Sequence, residues 1–337
     1  MIHAEGLCKE FRTPVRRPGL VGAARAVLRP EYTVKHAVRG LSFSVAAGEL
    51  IALLGPNGAG KSTTLKIMTG ILHPSSGRIT VRGRVPHADR VANARVIGAV
   101  FGQRSQLWWD LPALESLRIL KDIYEVDDAA FKLRIRELDD LLDLSAYWNT
   151  RVRHLSLGQR VRCDLAAALL HDPEVLFLDE PTIGMDVVVK EQVRDFLRFQ
   201  VAERGRTVVL TTHDMTEVGR LAQRVLLINH GRLVFDGDLA VMKAMFGGAW
   251  QIEVTLANSR DQVEVDGLTT LRRNGAIVTL GPCSDQHITL DEAVQAVIRS
   301  VGITNLSVEE DDLEDVMRKA YLADGSGNET DISAVAP

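Results

Sequence analysis

The chain has 337 residues, 46% of them hydrophobic and 25% charged, enough to build one large domain and a smaller one, which excludes a chain disordered throughout. A formal net charge of -4 removes the global basic balance that would point to nucleic acid. Cys8, Cys163 and Cys283 lie far apart and form neither a disulfide framework nor a metal-ligand spacing, as fits a reducing cytosol; the charged N-terminus lacks the apolar core of a signal peptide, and no apolar stretch approaches the length of a membrane span.

In chain order, residues 12–32 first interrupt the pattern with Pro14, Pro18 and five arginines. Leu20, Val21, Ala24, Val27 and Leu28 recur at helical spacing, so 19–29 reads as a short amphipathic helix in a solvated insertion, or in a contact with lipid headgroups or a partner. From 48 to 235, short aliphatic runs alternate with longer amphipathic stretches, the pattern of parallel strands joined by helices. LIALL (50–54), VLFL (175–178) and TVVLT (207–211) are apolar enough to be strands buried on both faces, and each runs directly into a polar motif. Ligands of open α/β sheets sit beyond the carboxyl ends of the strands, so these three motifs are expected to converge. Beyond Met245 the texture changes. Trp250, Ile252, Val254 and Leu256 alternate with polar residues, and 276–280 reads as a second strand. Thr289 and Glu292 form a capping box ahead of a helix carrying Ala293, Val294, Ala296, Val297 and Ile298, and Leu313, Val316, Met317 and Tyr321 mark a last helix. The tail 323–337 has little to bury and is expected to stay disordered.

GPNGAGKST (55–63) is a phosphate loop following the LIALL strand. Gly55, Pro56, Asn57, Gly58, Ala59 and Gly60 supply a backbone whose N–H groups can turn inward at phosphate oxygens, and the helix that follows offers its positive end. Lys61 is placed to meet the β- and γ-phosphates of ATP, Ser62 to supply a hydroxyl to Mg²⁺, and Thr63 to bond the α-phosphate. In VLFLDEP, Asp179 and Glu180 emerge together at a strand end. Adjacent carboxylates there fit a division of labour in which Asp179 holds Mg²⁺ through water and Glu180 orients the water that attacks the γ-phosphate.

One helix length before VLFLDEP stands LSLGQ (155–159), and here the chain resembles the ABC ATPase family, whose signature reads LSGGQ. Ser156, Gly158 and Gln159 are retained, with Leu157 where a glycine is usual. The resemblance covers roughly 2–240 and implies further roles. Gln103 matches the glutamine-loop residue that senses Mg²⁺ and contacts the transport partner, with Gln106 as the fallback; Gly102 is an extra residue relative to the usual pattern. Asp186 in PTIGMD matches the loop that communicates with the opposite subunit, and His213 after TVVLTT matches the switch histidine at the γ-phosphate. Phe11 matches the aromatic platform for adenine, with Tyr32 as a competitor.

The fold implied is α/β: a phosphate-loop ABC ATPase domain over 1–245 with a mostly parallel core sheet, a helical signature lobe and the insertion 12–32, followed by a small α+β domain over 246–322. The ending DLEDVMRKAY is similar to accessory segments of the ATPases of type 2 ABC exporters, the drug- and polyketide-export branch. In this family two copies close head to tail around two ATP molecules, each clamped by the phosphate loop of one subunit and the signature of the other. Transmembrane permease subunits, separate from this chain, would receive the movement through the surface near Gln103, Trp108 and Trp109, with the chain on the cytoplasmic face of the cell membrane; the two tryptophans read equally well as core. No nucleic-acid partner is expected, and an ABC-type ATPase working on DNA or ribosomes is the alternative.

Overall fold

The computed structural model describes residues 1–14, 32–102, 104–212, 214–247, 250–258, 263–283, 288–310 and 313–323, and the chain divides into two compact units between Leu239 and Ala240. The first unit opens with β1 (Ile2–Pro14) and β2 (Tyr32–Val45), an antiparallel ladder from Ile2 opposite Val45 to Pro14 opposite Tyr32. Arg12, Thr13, Pro14 and Tyr32, the ends of the segment read as an insertion, thus belong to a hairpin ladder. Residues 15–31, and with them the helix expected over 19–29, lie outside the described residues.

The LIALL run forms β3 (Leu50–Leu54), which turns through the phosphate loop into α1 (Lys61–Met68). There follow β4 (Ser76–Val81), α2 (Arg90–Ala94) and β5 (Ile97–Phe101), then α3 (Ala113–Ile123), α4 (Asp128–Leu142) and α5 (Leu157–Leu169). These last three helices between β5 and β6 make up the helical lobe. Asp127 caps α4 by accepting the N–H groups of Ala129 and Ala130, both at 2.9 Å, which satisfies two of the donors that a helix start leaves open. The chain continues through β6 (Val175–Asp179), α6 (Val187–Ala202), β7 (Thr207–Thr211), α7 (Met215–Leu221), β8 (Arg224–Asn229), β9 (Arg232–Asp238) and α8 (Leu239–Phe246).

Two sheets result in this unit. One is antiparallel, in the order β2-β1-β4; the other has the order β5-β6-β7-β3-β8-β9 and is parallel except for the β8–β9 pair. Ile51, Leu53, Phe177 and Val209 of the parallel sheet share one apolar core with Ile2, Leu7 and Leu41 of the antiparallel sheet and Leu65, Ile67 and Met68 of α1. Burial on both faces is why β3, β6 and β7 read as continuous aliphatic runs. They are also neighbours, so the segments that leave their carboxyl ends emerge side by side.

The second unit carries an antiparallel sheet in the order β11-β12-β10-β13, from β10 (Trp250–Leu256), β11 (Leu268–Asn274), β12 (Ile277–Pro282) and β13 (Ile303–Glu310). Ile252, Val254, Leu256, Val278 and Leu280 pack with Ala293 and Val297 of α9 (Leu290–Ser300). The capping box is present: Thr289 Oγ1 accepts the Glu292 N–H at 3.4 Å and Glu292 accepts the Thr289 N–H at 3.0 Å. The buried stripe of α9 is narrower than its sequence suggests, since Ile298 is exposed and only Ala293 and Val297 are fully covered. The helix α10 (Leu313–Ala323) buries Leu313, Val316, Met317 and Ala320.

Candidate active site

The phosphate loop is shaped by close approach of backbone to backbone. Gly60 precedes α1 with φ +111°, and a Cβ there would lie 2.4 Å from the Ala37 carbonyl oxygen, so no other residue fits without displacing β2. Lys61 begins the helix and is only 6% exposed. Its ammonium donates to the Gly55 carbonyl at 2.6 Å and the Pro56 carbonyl at 3.2 Å. Burial lowers its pKa, and the nearby Glu180 and Asp179 carboxylates oppose that shift by favouring the cation.

Ser62, one residue on, donates its hydroxyl to Asp179 Oδ1 at 3.0 Å, and the same oxygen accepts from Thr211 Oγ1 at 2.6 Å. The start of α1 and the ends of β6 and β7 are therefore joined through one carboxylate. Glu180 follows in the left-handed region, φ +54°, a backbone state costing a non-glycine residue about 1 kcal/mol or more. The Glu180 N–H holds it there by donating to the Thr211 carbonyl at 3.0 Å and hydroxyl at 3.1 Å.

A cavity of about 210 Å³ opens at this point, lined by Phe11, Lys35, Asn57, Lys61, Ser62 and Glu180 among others. Tyr32 is not among its lining residues, so of the two aromatic candidates only Phe11 reaches it. A larger depression of about 660 Å³ lies along β1 and β2 beside Cys8, His36 and Arg39 and contains none of the motif residues. Volume alone does not mark the site. The chemistry of the donors suits a nucleotide with a hard cation: a buried ammonium in a glycine-rich loop for phosphate, and a hydroxyl beside a carboxylate for Mg²⁺. Among the described residues no cluster of three or more His, Cys, Asp or Glu could hold a metal ion.

Two of the predicted residues, Gln103 and His213, lie outside the described residues, but their flanks are placed. Gly102 donates its N–H to the Asp179 carbonyl at 2.9 Å, and a Cβ on Gly102 would stand 2.9 Å from the carbonyl oxygens of both Asp179 and Glu180. The extra residue of this loop thus abuts the acidic pair. Gln106 is turned away, with its backbone and side-chain N–H groups bonded to Asp164 of α5. Trp108 and Trp109 are 39% and 52% exposed, so they are surface rather than core, and the Arg160 guanidinium lies 5.5 Å over the Trp109 ring. On the other side of His213, Asp214 pairs with Lys190 at 2.6 Å.

The signature residues do not line the cavity of their own phosphate loop. Ser156 caps α5, accepting the Gln159 N–H at 3.3 Å while Gln159 Oε1 accepts the Ser156 N–H at 2.9 Å. Leu157 lies over Gly184, its Cδ2 2.7 Å from where a Cβ on that residue would be. The departure at position 157 is thus accommodated by Gly184 of the PTIGMD loop. Asp186 caps α6, accepting the Val189 N–H at 3.0 Å. Sequence reasoning missed Thr211 and Lys35. A threonine at the carboxyl end of a buried strand, in register with Asp179, was a usable signal for the first; nothing in the sequence singled out the second.

The ABC transporter family profile matches residues 38–183, the span of the phosphate loop, signature and acidic pair. The Nod factor export ATP-binding protein I of Paraburkholderia xenovorans is 39% identical over 228 residues, which is 67% of this chain and 74% of that protein. This chain belongs to the ABC transporter ATP-binding family. The linearmycin resistance ATP-binding protein LnrL of Bacillus subtilis is 30% identical over 294 residues, 85% of this chain and 94% of that protein. A dimeric bacterial ABC transporter cassette matches with a TM-score of 0.59 and 25% identity over 71% of this chain and 99% of the cassette. As an ABC ATPase the chain binds and hydrolyses ATP in the service of transport. Among its described residues no helix is long and apolar enough to cross a membrane.

Proposed function

We propose that this ABC ATPase powers export through separate transmembrane permease subunits, working as a homodimer at the cytoplasmic face of the membrane. The observation that carries this reading is the convergence of Lys61, Ser62, Asp179 and Glu180 at neighbouring strand ends, apart from the chain's own signature helix. A site so divided is completed by a second copy, and the dimeric cassette that this chain resembles supports that arrangement. The names of its relatives, in Nod factor export and linearmycin resistance, support export.

In this reading Lys61 and the N–H groups of 55–60 hold the phosphates, with Thr63 at the α-phosphate and Phe11 against the adenine. Ser62 and Asp179, with Gln103, hold Mg²⁺, which when bound neutralises phosphate charge. Ser156, Gly158 and Gln159 of the opposite copy present a helix N-terminus to the γ-phosphate. Glu180, set by its bonds to Thr211, takes up the proton of the attacking water, His213 completes the surroundings of that water, and Asp186 communicates with the site of the opposite copy. Binding closes the two copies together; hydrolysis separates the charges and loosens them, and the movement reaches the permease through the exposed face at Trp108 and Trp109.

Glu180→Gln tests this. It keeps size and a hydrogen-bonding oxygen but removes the base, so turnover should fall at least about a hundredfold while Mg-ATP still binds. The ATP-bound variant should then accumulate as a dimer by size-exclusion light scattering, and ADP should leave it monomeric. Full hydrolysis by the variant would remove Glu180 from its role.

A further inference from the structure

Glu217, in the first turn of α7, is 1% exposed, yet no motif assigns it a task. Its Oε2 accepts two hydroxyls, from Thr182 Oγ1 at 2.5 Å and Thr212 Oγ1 at 3.2 Å, and its Oε1 has no hydrogen-bond partner. A buried carboxylate with an unsatisfied oxygen is costly, so it should do something that an apolar side chain could not. What it joins gives the reason. Thr182 lies two residues beyond Glu180 on the segment leaving β6, and Thr212 lies between Thr211 and His213 on the segment leaving β7. Both threonines are 3% exposed. Thr212 also accepts the Asp214 N–H at 3.0 Å, and the Glu217 N–H donates to the Asp214 carbonyl at 3.1 Å, which ties the start of α7 to the segment leaving β7.

We infer that Glu217 is a positioning residue for hydrolysis: its carboxylate clamps the segment after Glu180 to the segment before His213 and so fixes the direction of the Glu180 carboxylate. Glu180 needs such support. Its φ of +54° is strained, and its N–H is already anchored to Thr211 on one side of the residue. The Thr182–Glu217–Thr212 bridge anchors the chain on the other side, so Glu180 is held between two bonds to the same neighbouring strand end. Phosphoryl transfer depends on placing the base to within a fraction of an ångström, whereas phosphate binding by 55–63 is built from different contacts. Loss of the clamp should therefore lower kcat and leave ATP affinity in place.

This inference rests on Glu180 acting as the base, and the experiment separates the two. Steady-state ATPase kinetics and ATP affinity would be measured on the full chain for wild type, Glu180→Gln, Glu217→Ala, Glu217→Gln and Thr182→Val. Glu217→Ala and Thr182→Val should each lose about tenfold or more in kcat with ATP affinity within about twofold of wild type. Glu217→Gln should keep at least about half of wild-type kcat, because its amide oxygen can accept both hydroxyls while the NH₂ replaces the oxygen that has no partner. Unchanged kcat in Thr182→Val, or a Glu217→Gln variant as impaired as Glu217→Ala, would overturn the clamp, as would a parallel fall in affinity and kcat. If Glu217→Ala does not fold, Thr182→Val and Glu217→Gln still decide. Loss of turnover in Glu180→Gln beside normal clamp variants would sink this inference alone; turnover retained in Glu180→Gln would sink the reading beneath it.

Discussion

The phosphate loop and the start of the signature helix serve the same ligand in the proposed dimer but are held in different ways. The loop is fixed mainly by backbone: the Ala59 N–H donates to Pro56 and the Gly231 N–H donates to Ala59, with one side chain, the Lys61 ammonium, closing on the Gly55 and Pro56 carbonyls. The start of α5 is fixed by side chains, through the Ser156–Gln159 box and Leu157 over Gly184, and its middle by Asp164, which bonds Ser105 and Gln106. A cradle held by main chain demands glycines at fixed positions and tolerates change around it. One held by side chains can drift in sequence, as LSLGQ has, provided that a neighbour makes room.

Lys61→Ala should have the largest effect. It removes the buried cation from the backbone cradle together with two charge-assisted hydrogen bonds, so ATP affinity should fall by about a hundredfold or more and turnover with it. Nucleotide titration by fluorescence checks this; near-normal affinity would mean that the backbone alone suffices. On the signature side, Gly158→Asp should leave ATP binding to a single chain intact and weaken ATP-driven dimerisation by about a hundredfold, since a carboxylate would face the γ-phosphate of the opposite copy. Gly158→Ala is the control, because a Cβ there already stands 3.3 Å from Val189 Cγ1 and reports the strain within one chain. Equal defects in the two variants would refute a role across the interface.

The same contrast explains what could be read from the sequence. Strands β3, β6 and β7 were legible because burial on both faces leaves uninterrupted aliphatic runs, and the residues following them because phosphate chemistry restricts their types. The arms of β1 and β2 beyond Phe11 were not legible: Arg12, Thr13, Pro14 and Tyr32 are exposed and pair across the ladder, which no apolar pattern announces. In the second unit β10 announced itself by alternation, whereas β11 was missed because it lies at the sheet edge with nearly every side chain exposed. β13, on the opposite edge, was missed as well. The ties made by Gly102, Thr211 and Asp164 depend on residues dozens of positions away, and local spacing carries no trace of them.

Asp164 gives the smallest effect and tests the side-chain anchor directly. Its Oδ1 accepts the Ser105 hydroxyl at 2.8 Å and the Gln106 N–H at 3.1 Å, joining the signature helix to the segment that follows β5. Burial pushes its pKa up to about 6, and these hydrogen bonds only partly oppose that shift. An acid whose folded pKa is raised binds its proton more tightly in the folded chain than in the unfolded one. Its contribution to stability is therefore complete below the ordinary carboxyl range and is lost as pH rises to about 6 and beyond. Asp164→Asn keeps an oxygen for both donors and cannot ionise, so it should remove this dependence. Denaturant melts at intervals from pH 4 to 7.5 should show the stability of the variant relative to wild type rising by about 2 kcal/mol across the range, most of it by pH 7. Reading the change with pH, not the absolute stability, cancels any fixed cost of seating the amide. Parallel curves would mean that Asp164 titrates alike in the folded and unfolded chain, and the signature helix would then be anchored by its packing instead.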